Sequence, residues 1–219
     1  MRRSILLSAL WLALAAPSVI AQDELLQSGP MLGYSEMFEV LLWAQTTEPA
    51  DVKIVYWDLE SPDARMETAT VRTDRASAYT AKMIADRVQP GRRYGYELHI
   101  DGANVERPYA LEFQTQVLWQ WRTDPPEFRI ATGSCFFVND APYDRPGDPY
   151  GGDFEILGAM VEKDADAMVW LGDNFYYREP DWNTRTGMIY RNTHTRSLPA
   201  LQPLLASTHH YATWDDHDF

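Results

Sequence analysis

The chain has 219 residues, of which 45% are hydrophobic and 23% are charged, and its formal net charge is −13. These proportions are ordinary for a globular protein and exclude disorder over the whole length. The excess of acidic residues argues against a nucleic-acid-binding surface and against an anionic membrane as partner, because both require an excess of Lys and Arg.

The first 21 residues have the pattern of an export signal. Arg2 and Arg3 form a basic start, Ile5–Ala16 is a short apolar segment, and Val19 and Ala21 occupy the positions before a cleavage site. The apolar segment is too short for a stable membrane span. We therefore expect a signal peptide over residues 1–21 and a periplasmic or secreted protein. The pattern leaves open whether export follows the general or the twin-arginine route.

Residues 22–118 are predicted to form a β-sandwich of the fibronectin III or immunoglobulin type. Short segments rich in β-branched and aromatic residues alternate with turn sequences such as Pro90-Gly91 and Asp101-Gly102. The predicted strands cover residues 38–43, 52–57, 68–72, 78–84, 94–100 and 110–115. Short strands at this spacing are typical of an antiparallel sandwich.

Residues 119–127, which include Asp124-Pro125-Pro126, are predicted to be a stiff linker. Beyond it, strand and helix patterns alternate, which predicts a parallel sheet. The predicted elements are buried strands at 128–132, 167–171 and 211–214, a helix capped by Asp153, and a partly helical segment over 188–206. Because three strands do not complete an α/β domain, we expect residues 128–219 to be the first part of one, within a longer protein.

The three predicted parallel strands all end in residues that bind metals or transfer protons. The first ends at Cys135, the second at Asp173 with Tyr176 nearby, and the third at Asp216 and His217. Strand ends of this kind meet at one edge of an open sheet, where sites form. Each residue also has an ordinary explanation, such as a turn-forming Asp or a buried Cys. Their convergence favours a metal site, and bound cations would let an acidic protein accept an anionic substrate.

Six other residues are weaker candidates. They are His194, His209, His210, Arg178, Arg191 and Arg196. The histidines lack a metal-binding spacing; we expect His194 at the surface, and one residue of the His209-His210 pair packed and the other facing solvent. The arginines could bind a phosphate group, but solvent exposure is the default expectation for them.

Three sequence blocks resemble one enzyme family. Gly172-Asp173-Asn174-Phe175-Tyr176 resembles the G-D-x-x-Y block of metallophosphoesterases of the purple acid phosphatase type. Trp214-Asp215-Asp216-His217-Asp218-Phe219 resembles the W-D-D-H-[DE] block of the alkaline phosphatase D (PhoD-like) family. Gly133-Ser134-Cys135 is similar to the first-strand ending of that family, and Leu42-Trp43-Ala44-Gln45-Thr46 resembles part of its fibronectin-like N-terminal domain.

The resemblance implies an exported, metal-dependent phosphoesterase that acts on a phosphate ester. In that family Asp173 would bridge two metal ions, and Tyr176 and Cys135 would bind Fe³⁺. Asp216 would bind the second ion, Ca²⁺, although Asp215 is an open alternative. His217 would stabilise the transition state or protonate the leaving oxygen. The resemblance does not distinguish monoesters from diesters, and no substrate-binding residue is assigned.

Two alternatives remain open at this point. One is a non-catalytic exported binding module, in which the acids at the strand ends are surface loops. The other is a truncated pseudoenzyme that lacks further ligands. For the binding module, a chelator would not alter stability, whereas the pseudoenzyme differs from the enzyme only in lacking the later ligands. We also expect the 219-residue chain on its own to be poorly active and unstable.

Overall fold

The computed structural model describes residues 22–150 and 152–218, so the predicted signal peptide over 1–21 lies outside the described residues. Most of the regular structure is β-strand. The strands are β1 (Leu26–Ser35), β2 (Val40–Thr46), β3 (Asp51–Asp58), β4 (Met66–Glu67), β5 (Val71–Arg72), β6 (Thr80–Ala85), β7 (Arg93–Ile100), β8 (Ala103–Asn104), β9 (Glu112–Gln114), β10 (Ile130–Gly133), β11 (Ala167–Leu171) and β12 (His209–Thr213).

The helices are few and short. They are α1 (Gln22–Leu25), α2 (Glu155–Glu162), α3 (Arg185–Arg196) and α4 (Gln202–Ser207), with single 3₁₀ turns at Pro199–Leu201 and Asp216–Asp218. No helix within the described ranges combines the length and the apolar character needed to cross a bilayer. The predicted cap of α2, Asp153, is wrong: Phe154 precedes the helix in a left-handed conformation, and no side chain caps it.

The strands form two sheets, an arrangement compatible with a β-sandwich. One sheet has the order β10-β11-β12-β1-β2-β6, and the other has β4-β3-β7-β8, with β5 paired to β3 and β9 to β7. Alternate residues of the central strands meet in one core, where Leu42, Ile54, Met83 and Leu98 are each at most 1% exposed. This alternation is the pattern that predicted the strands of the sandwich.

Strand β1 was not among the predicted strands, and it connects the two halves of the chain. It pairs antiparallel with β2 on one side and parallel with β12 on the other, so that one sheet contains strands from both halves. The expectation of a sandwich followed by a separate parallel sheet is corrected on this point. Gly29-Pro30 interrupts the alternation of β1, which is the reason that the pattern did not indicate a ten-residue strand.

Buried hydrogen bonds also join the two halves. The Tyr96 hydroxyl donates to the carbonyl oxygen of Ala206 at 2.8 Å, and the amide of Gly29 donates to Gln202 Oε1 at 2.8 Å. A buried polar group without a partner costs about 1–3 kcal/mol, so separating the halves would expose these groups to water or leave them unpaired. The two halves of the described chain therefore form one packed structure.

The second half has the predicted parallel order, since β10 pairs parallel with β11 and β11 with β12. The prediction that these are buried strands holds for one face only. Helices α2 and α4 cover one face, where Leu157, Met168 and Trp170 pack together. The alternate side chains point away from these helices, and both Ile130 and Leu171 are 51% exposed.

The ring of His210 lies between two hydrogen-bonding groups that fix its neutral form. Trp170 Nε1 donates to Nδ1 at 3.0 Å, and Nε2 is 3.1 Å from the carbonyl oxygen of Leu204. Protonation of Nδ1 would place two N–H groups against each other. Desolvation is the main cause that lowers the pKa of His210 to about 3. Desolvation also lowers the pKa of His209.

We predict that the fold loses stability as the pH falls below 6.5. The unfolded chain takes up the proton there and the folded chain does not, so the stabilisation present above pH 6.5 declines as the pH falls toward the folded pKa. From pH 7 to pH 5 the contribution of His210 is about 2 kcal/mol. Urea unfolding at both pH values would measure it. His210→Gln, which keeps an acceptor and a donor, should reduce this decline, and an unchanged decline would contradict the assignment.

Candidate metal centre

Three loops meet where β10, β11 and β12 end. The amide of Cys135, after β10, donates to the carbonyl oxygen of Gly172 at 3.3 Å, and the amide of Phe136 donates to that of Asp173 at 2.9 Å. The loop after β12 contributes the 3₁₀ turn at Asp216–Asp218. The parallel order of the strands therefore brings the predicted metal-binding residues to one edge of the sheet.

The carboxylate of Asp173 lies at the centre of these loops. Its Oδ2 accepts a hydrogen bond from the Tyr176 hydroxyl at 3.2 Å and lies 3.6 Å from Cys135 Sγ. Its Oδ1 accepts from the backbone amide of His217 at 3.3 Å. The residue is 8% exposed, so these groups replace most of its hydration. Each oxygen thus faces a different set of neighbours.

Asp173, Asp216 and His217 have potential ligand atoms that all lie within 4.8 Å of one another. The imidazole of His217 also contacts the ring of Tyr176, with ring centroids 4.5 Å apart. Carboxylate oxygens suit hard cations such as Ca²⁺, and Cys thiolate and Tyr phenolate both occur as ligands of iron. The predicted site residues offer a set of donor atoms that fits one or two metal ions. These residues are Cys135, Asp173, Tyr176, Asp216 and His217.

The environment of Tyr176 favours its protonated form. Desolvation is the main cause that raises the pKa of the phenol, and the hydrogen bonds with Cys135 and Asp173 and the negative charge of Asp173 act in the same direction. The phenol consequently donates its proton to Asp173 Oδ2. A positive ion next to the same oxygen would have the opposite effect on the pKa of Tyr176, since an opposite charge favours the ionised form.

The three acids of the last loop have different surroundings. Asp216 belongs to the group around Asp173, whereas the carboxylate of Asp215 accepts the amide of Asp216 at 2.9 Å. The carboxylate of Asp218 accepts the amides of Asn174 at 2.7 Å and of Asp215 at 2.9 Å. Asp218 therefore fastens the loop after β12 to the loop after β11. Sequence reasoning gave it no separate role, because neighbouring loop residues can point in any direction.

The backbone around the site adopts unusual conformations. Two non-glycine residues have positive φ angles, Cys135 at 58° and Asp173 at 52°, and Gly172 has a φ angle of 103°. Non-glycine residues in this region are uncommon and are found at functional sites more often than elsewhere. Gly172 is also crowded, since a Cβ atom there would lie 2.6 Å from Asp215 Cβ.

We predict that Gly172→Ala destabilises the fold by about 2–5 kcal/mol, from backbone strain and steric overlap together. Gly102→Ala is a matched control, because Gly102 also has a positive φ angle, of 84°, but a Cβ there would meet no atom within 4 Å. The control should lose only about 1–2 kcal/mol, from strain alone. Chemical denaturation of the two variants would compare them. Equal losses of unfolding free energy in the two variants would show that the overlap with Asp215 does not contribute to the destabilisation.

The arginines do not all lie in solvent as expected. Arg191 is 1% exposed, and its Nε donates to Asp181 Oδ2 at 2.8 Å. The guanidinium of Arg196 lies 4.9 Å from the centre of the Phe175 ring, and burial lowers the pKa of Arg196 to about 10. The default of solvent exposure is therefore wrong for both. His194 is also partly buried, with Nε2 3.0 Å from the carbonyl oxygen of Asn139.

Arg191 is the centre of an ionic cluster behind the site. Its Nη1 lies 3.8 Å from Asp140 Oδ2 and 3.7 Å from Asp144 Oδ2, in addition to the contact with Asp181. Asp144 also accepts the Nε of Arg178 at 2.8 Å. The cluster joins the loop after β10, the loop after β11 and α3. Sequence reasoning missed it, because its acids are distributed over segments that only the fold brings together.

Comparison with known proteins gives a partial picture. A family model described as a domain of unknown function, DUF7800, matches residues 23–118, which end before β10. None of the curated proteins matches the sequence. Two solved structures resemble the chain only weakly. They are the sensor domain of the anti-sigma factor RsgI4 of Pseudobacteroides cellulosolvens (TM-score 0.34, 10% identity, 40% of this chain and 72% of that one) and the FN1–FN3 domains of chicken CNTN1 (TM-score 0.30, 15% identity, 39% and 30%).

A solved structure described as that of PhoD resembles the chain much more strongly. The TM-score is 0.65 at 17% identity, and the match covers 85% of this chain and 38% of that one. At this identity the likeness is evidence for the fold alone. The chain thus spans well under half the length of that PhoD chain. Over most of its own length, the chain has a PhoD-related fold.

Proposed function

We propose that the protein is a metal-dependent phosphoesterase of the PhoD-like type. In this proposal a fibronectin-like sandwich over residues 22–118 precedes the first part of a metallophosphoesterase domain. The observation that supports it best is the position of Asp173, whose carboxylate lies among Tyr176, Cys135 and His217, with Asp216 in the same group. The PhoD-related fold agrees with it but does not itself assign an activity.

Each residue has a proposed role. Asp173 would contact two ions, with Tyr176 and Cys135 on the side of its Oδ2 holding Fe³⁺ and Asp216 holding Ca²⁺. When bound, two such ions would supply a hydroxide near neutral pH and offset the charge of the phosphate group. The exposed imidazole of His217 would donate a proton to the leaving oxygen, a role that requires access to substrate. Asp218 and the contact between rings would keep His217 in place.

The proposal includes export to the periplasm or the medium, which is supported by the sequence pattern of residues 1–21. The alternatives are a binding module or a pseudoenzyme. They share the export signal and the sandwich, and they differ from the proposed enzyme in having no catalysis that depends on metal.

The test is hydrolysis of p-nitrophenyl phosphate and bis(p-nitrophenyl) phosphate by the protein in its full natural length. We expect the rate to fall on treatment with a chelator and to return with Fe³⁺ and Ca²⁺ together. The 219-residue chain alone, assayed in parallel, should be weakly active. The absence of hydrolysis from the fully loaded protein would reject the enzyme and favour the binding module.

A further inference from the structure

We propose that Arg178 is the residue that binds the phosphate group of the substrate beside the metal centre. The inference rests on the proposed function, which assigns no substrate-binding residue. It concerns a cavity of about 570 Å³ that Arg178 lines together with Asp216, His217 and Trp182. Among the described residues of its lining, Arg178 alone carries a permanent positive charge. A substrate held at Asp216 and His217 would share this cavity with Arg178.

The guanidinium of Arg178 is held in one orientation. Its Nε donates to Asp144 Oδ1 at 2.8 Å, and its central carbon lies 5.0 Å from the centre of the Phe137 ring. The ring of Phe137 in turn contacts that of Tyr176, with centroids 5.5 Å apart. Arg178 lies on the same loop as Asp173, and these contacts fix it against the loop after β10. A guanidinium that is fixed before binding loses less conformational freedom when it binds an anion.

The two Nη groups of Arg178 remain available for an anion. Within the described residues they form no hydrogen bond, and the side chain is 22% exposed. A guanidinium that has used only its Nε can still donate N–H groups to two oxygens of a phosphate group. Neither Arg191 nor Arg196 is placed for this role, because the first is 1% exposed within the ionic cluster and the second lies against Trp170 and Phe175.

The acids near Arg178 are shared with Arg191 and with a backbone amide, so they offset the charge of Arg178 only in part. Asp181 Oδ2 accepts both the Nε of Arg191 and the backbone amide of Arg178, each at 2.8 Å. Asp144 lies between Arg178 and Arg191. Asp216 is the other acid of the cavity, and in the proposed function its charge is offset by a cation. The phosphate group recognised could belong to an ester or to free inorganic phosphate.

The experiment compares the wild-type protein with Arg178→Gln and Arg178→Lys in the metal-loaded, full-length form. Hydrolysis of p-nitrophenyl phosphate gives KM and kcat, and inorganic phosphate serves as a competitive inhibitor and, separately, as the ligand in calorimetry. Arg178→Gln should raise KM and the dissociation constant of inorganic phosphate about 10- to 100-fold, with a smaller change in kcat. Arg178→Lys should recover part of this loss. Arg72→Gln, which removes an exposed charge on β5, should change neither constant.

The outcomes separate this inference from the proposed function. Hydrolysis with an unchanged KM and an unchanged phosphate dissociation constant in Arg178→Gln would overturn the role of Arg178 and leave the function intact. Absence of hydrolysis with phosphate binding that depends on Arg178 would reject the function and retain the site. No phosphate binding by the wild-type protein would overturn the site. If Arg178→Gln does not fold, as judged by circular dichroism, Arg178→Lys alone decides, and its affinity for phosphate must fall.

Discussion

Replacement of Arg191 by Met is expected to lower the free energy of unfolding by about 3–5 kcal/mol, the loss typical of removing one partner from a buried ionic cluster. Arg191 is 1% exposed and lies within hydrogen-bond or ion-pair distance of Asp140, Asp144 and Asp181. When the charge of Arg191 is removed, Arg178 is the cation that remains next to these three acids, and it is paired with Asp144. Met and Arg have similar helix propensities, so the change in α3 itself should be small.

The control for this prediction is Arg72→Met. Arg72 forms ion pairs with Asp51 and Asp101 at the surface, where its side chain is 58% exposed. Exposed pairs of this kind contribute about 0–1 kcal/mol, so the control should remain close to the wild type. Urea denaturation of both variants measures the difference. A loss in Arg191→Met no larger than in the control would mean that the cluster contributes no more than a surface pair.

Arg191 also shows a limit of prediction from sequence. The residues of α3 are mostly polar, and the segment gives no sign that one arginine is buried. The burial follows from Asp140, Asp144 and Asp181, which lie on two other segments and reach Arg191 only in the folded chain. A charged residue is almost never buried without partners, and partners distant in sequence are not visible in a local pattern.

The strands of the sandwich were more predictable, because alternation is a local property. The segments predicted at 52–57 and 94–100 correspond closely to β3 (Asp51–Asp58) and β7 (Arg93–Ile100). Pairing between strands is not local. The parallel contact of β1 with β12 joins Leu32 to His209, and nothing in either segment predicts it. The sequence therefore predicted most of the strands and the parallel order, while β1 and the single sheet that joins the two halves emerged only from the structure.

The candidate site was partly predictable from the sequence, more so than the burial of Arg191 and less so than the strands. The positions after parallel strands are predictable, because such strands end at one edge, and the structure does bring Cys135, Asp173, Tyr176, Asp216 and His217 together there. Their metals and their roles remain predictions. The sequence left Asp215 and Asp216 as alternatives; the structure places Asp216 in the group around Asp173, and Asp215 accepts a backbone amide.

Asp173→Asn is expected to reduce metal binding and hydrolysis by at least about 100-fold, since even residues behind a metal ligand affect either by about 10- to 100-fold. Asparagine has nearly the same size but lacks the charge and the second carboxylate oxygen. It also tolerates positive φ angles, so the backbone at 52° should be preserved. The variant thus removes the charge of the carboxylate while leaving the loop in place. An unchanged free energy of unfolding in the absence of metal would verify that the loop is preserved.

Asp215→Asn is the matched control, because it makes the same change of charge in the adjacent loop, at a residue outside the group around Asp173. Metal binding can be followed without activity, as the rise in melting temperature on addition of Ca²⁺, because a ligand that binds only the folded state stabilises it. We expect the rise to persist in Asp215→Asn and to disappear in Asp173→Asn and Asp216→Asn. If Asp215→Asn abolished it instead, the second ion would have to be reassigned to Asp215. If all three variants kept it, Ca²⁺ would bind elsewhere, and the bridging role of Asp173 would lose its support.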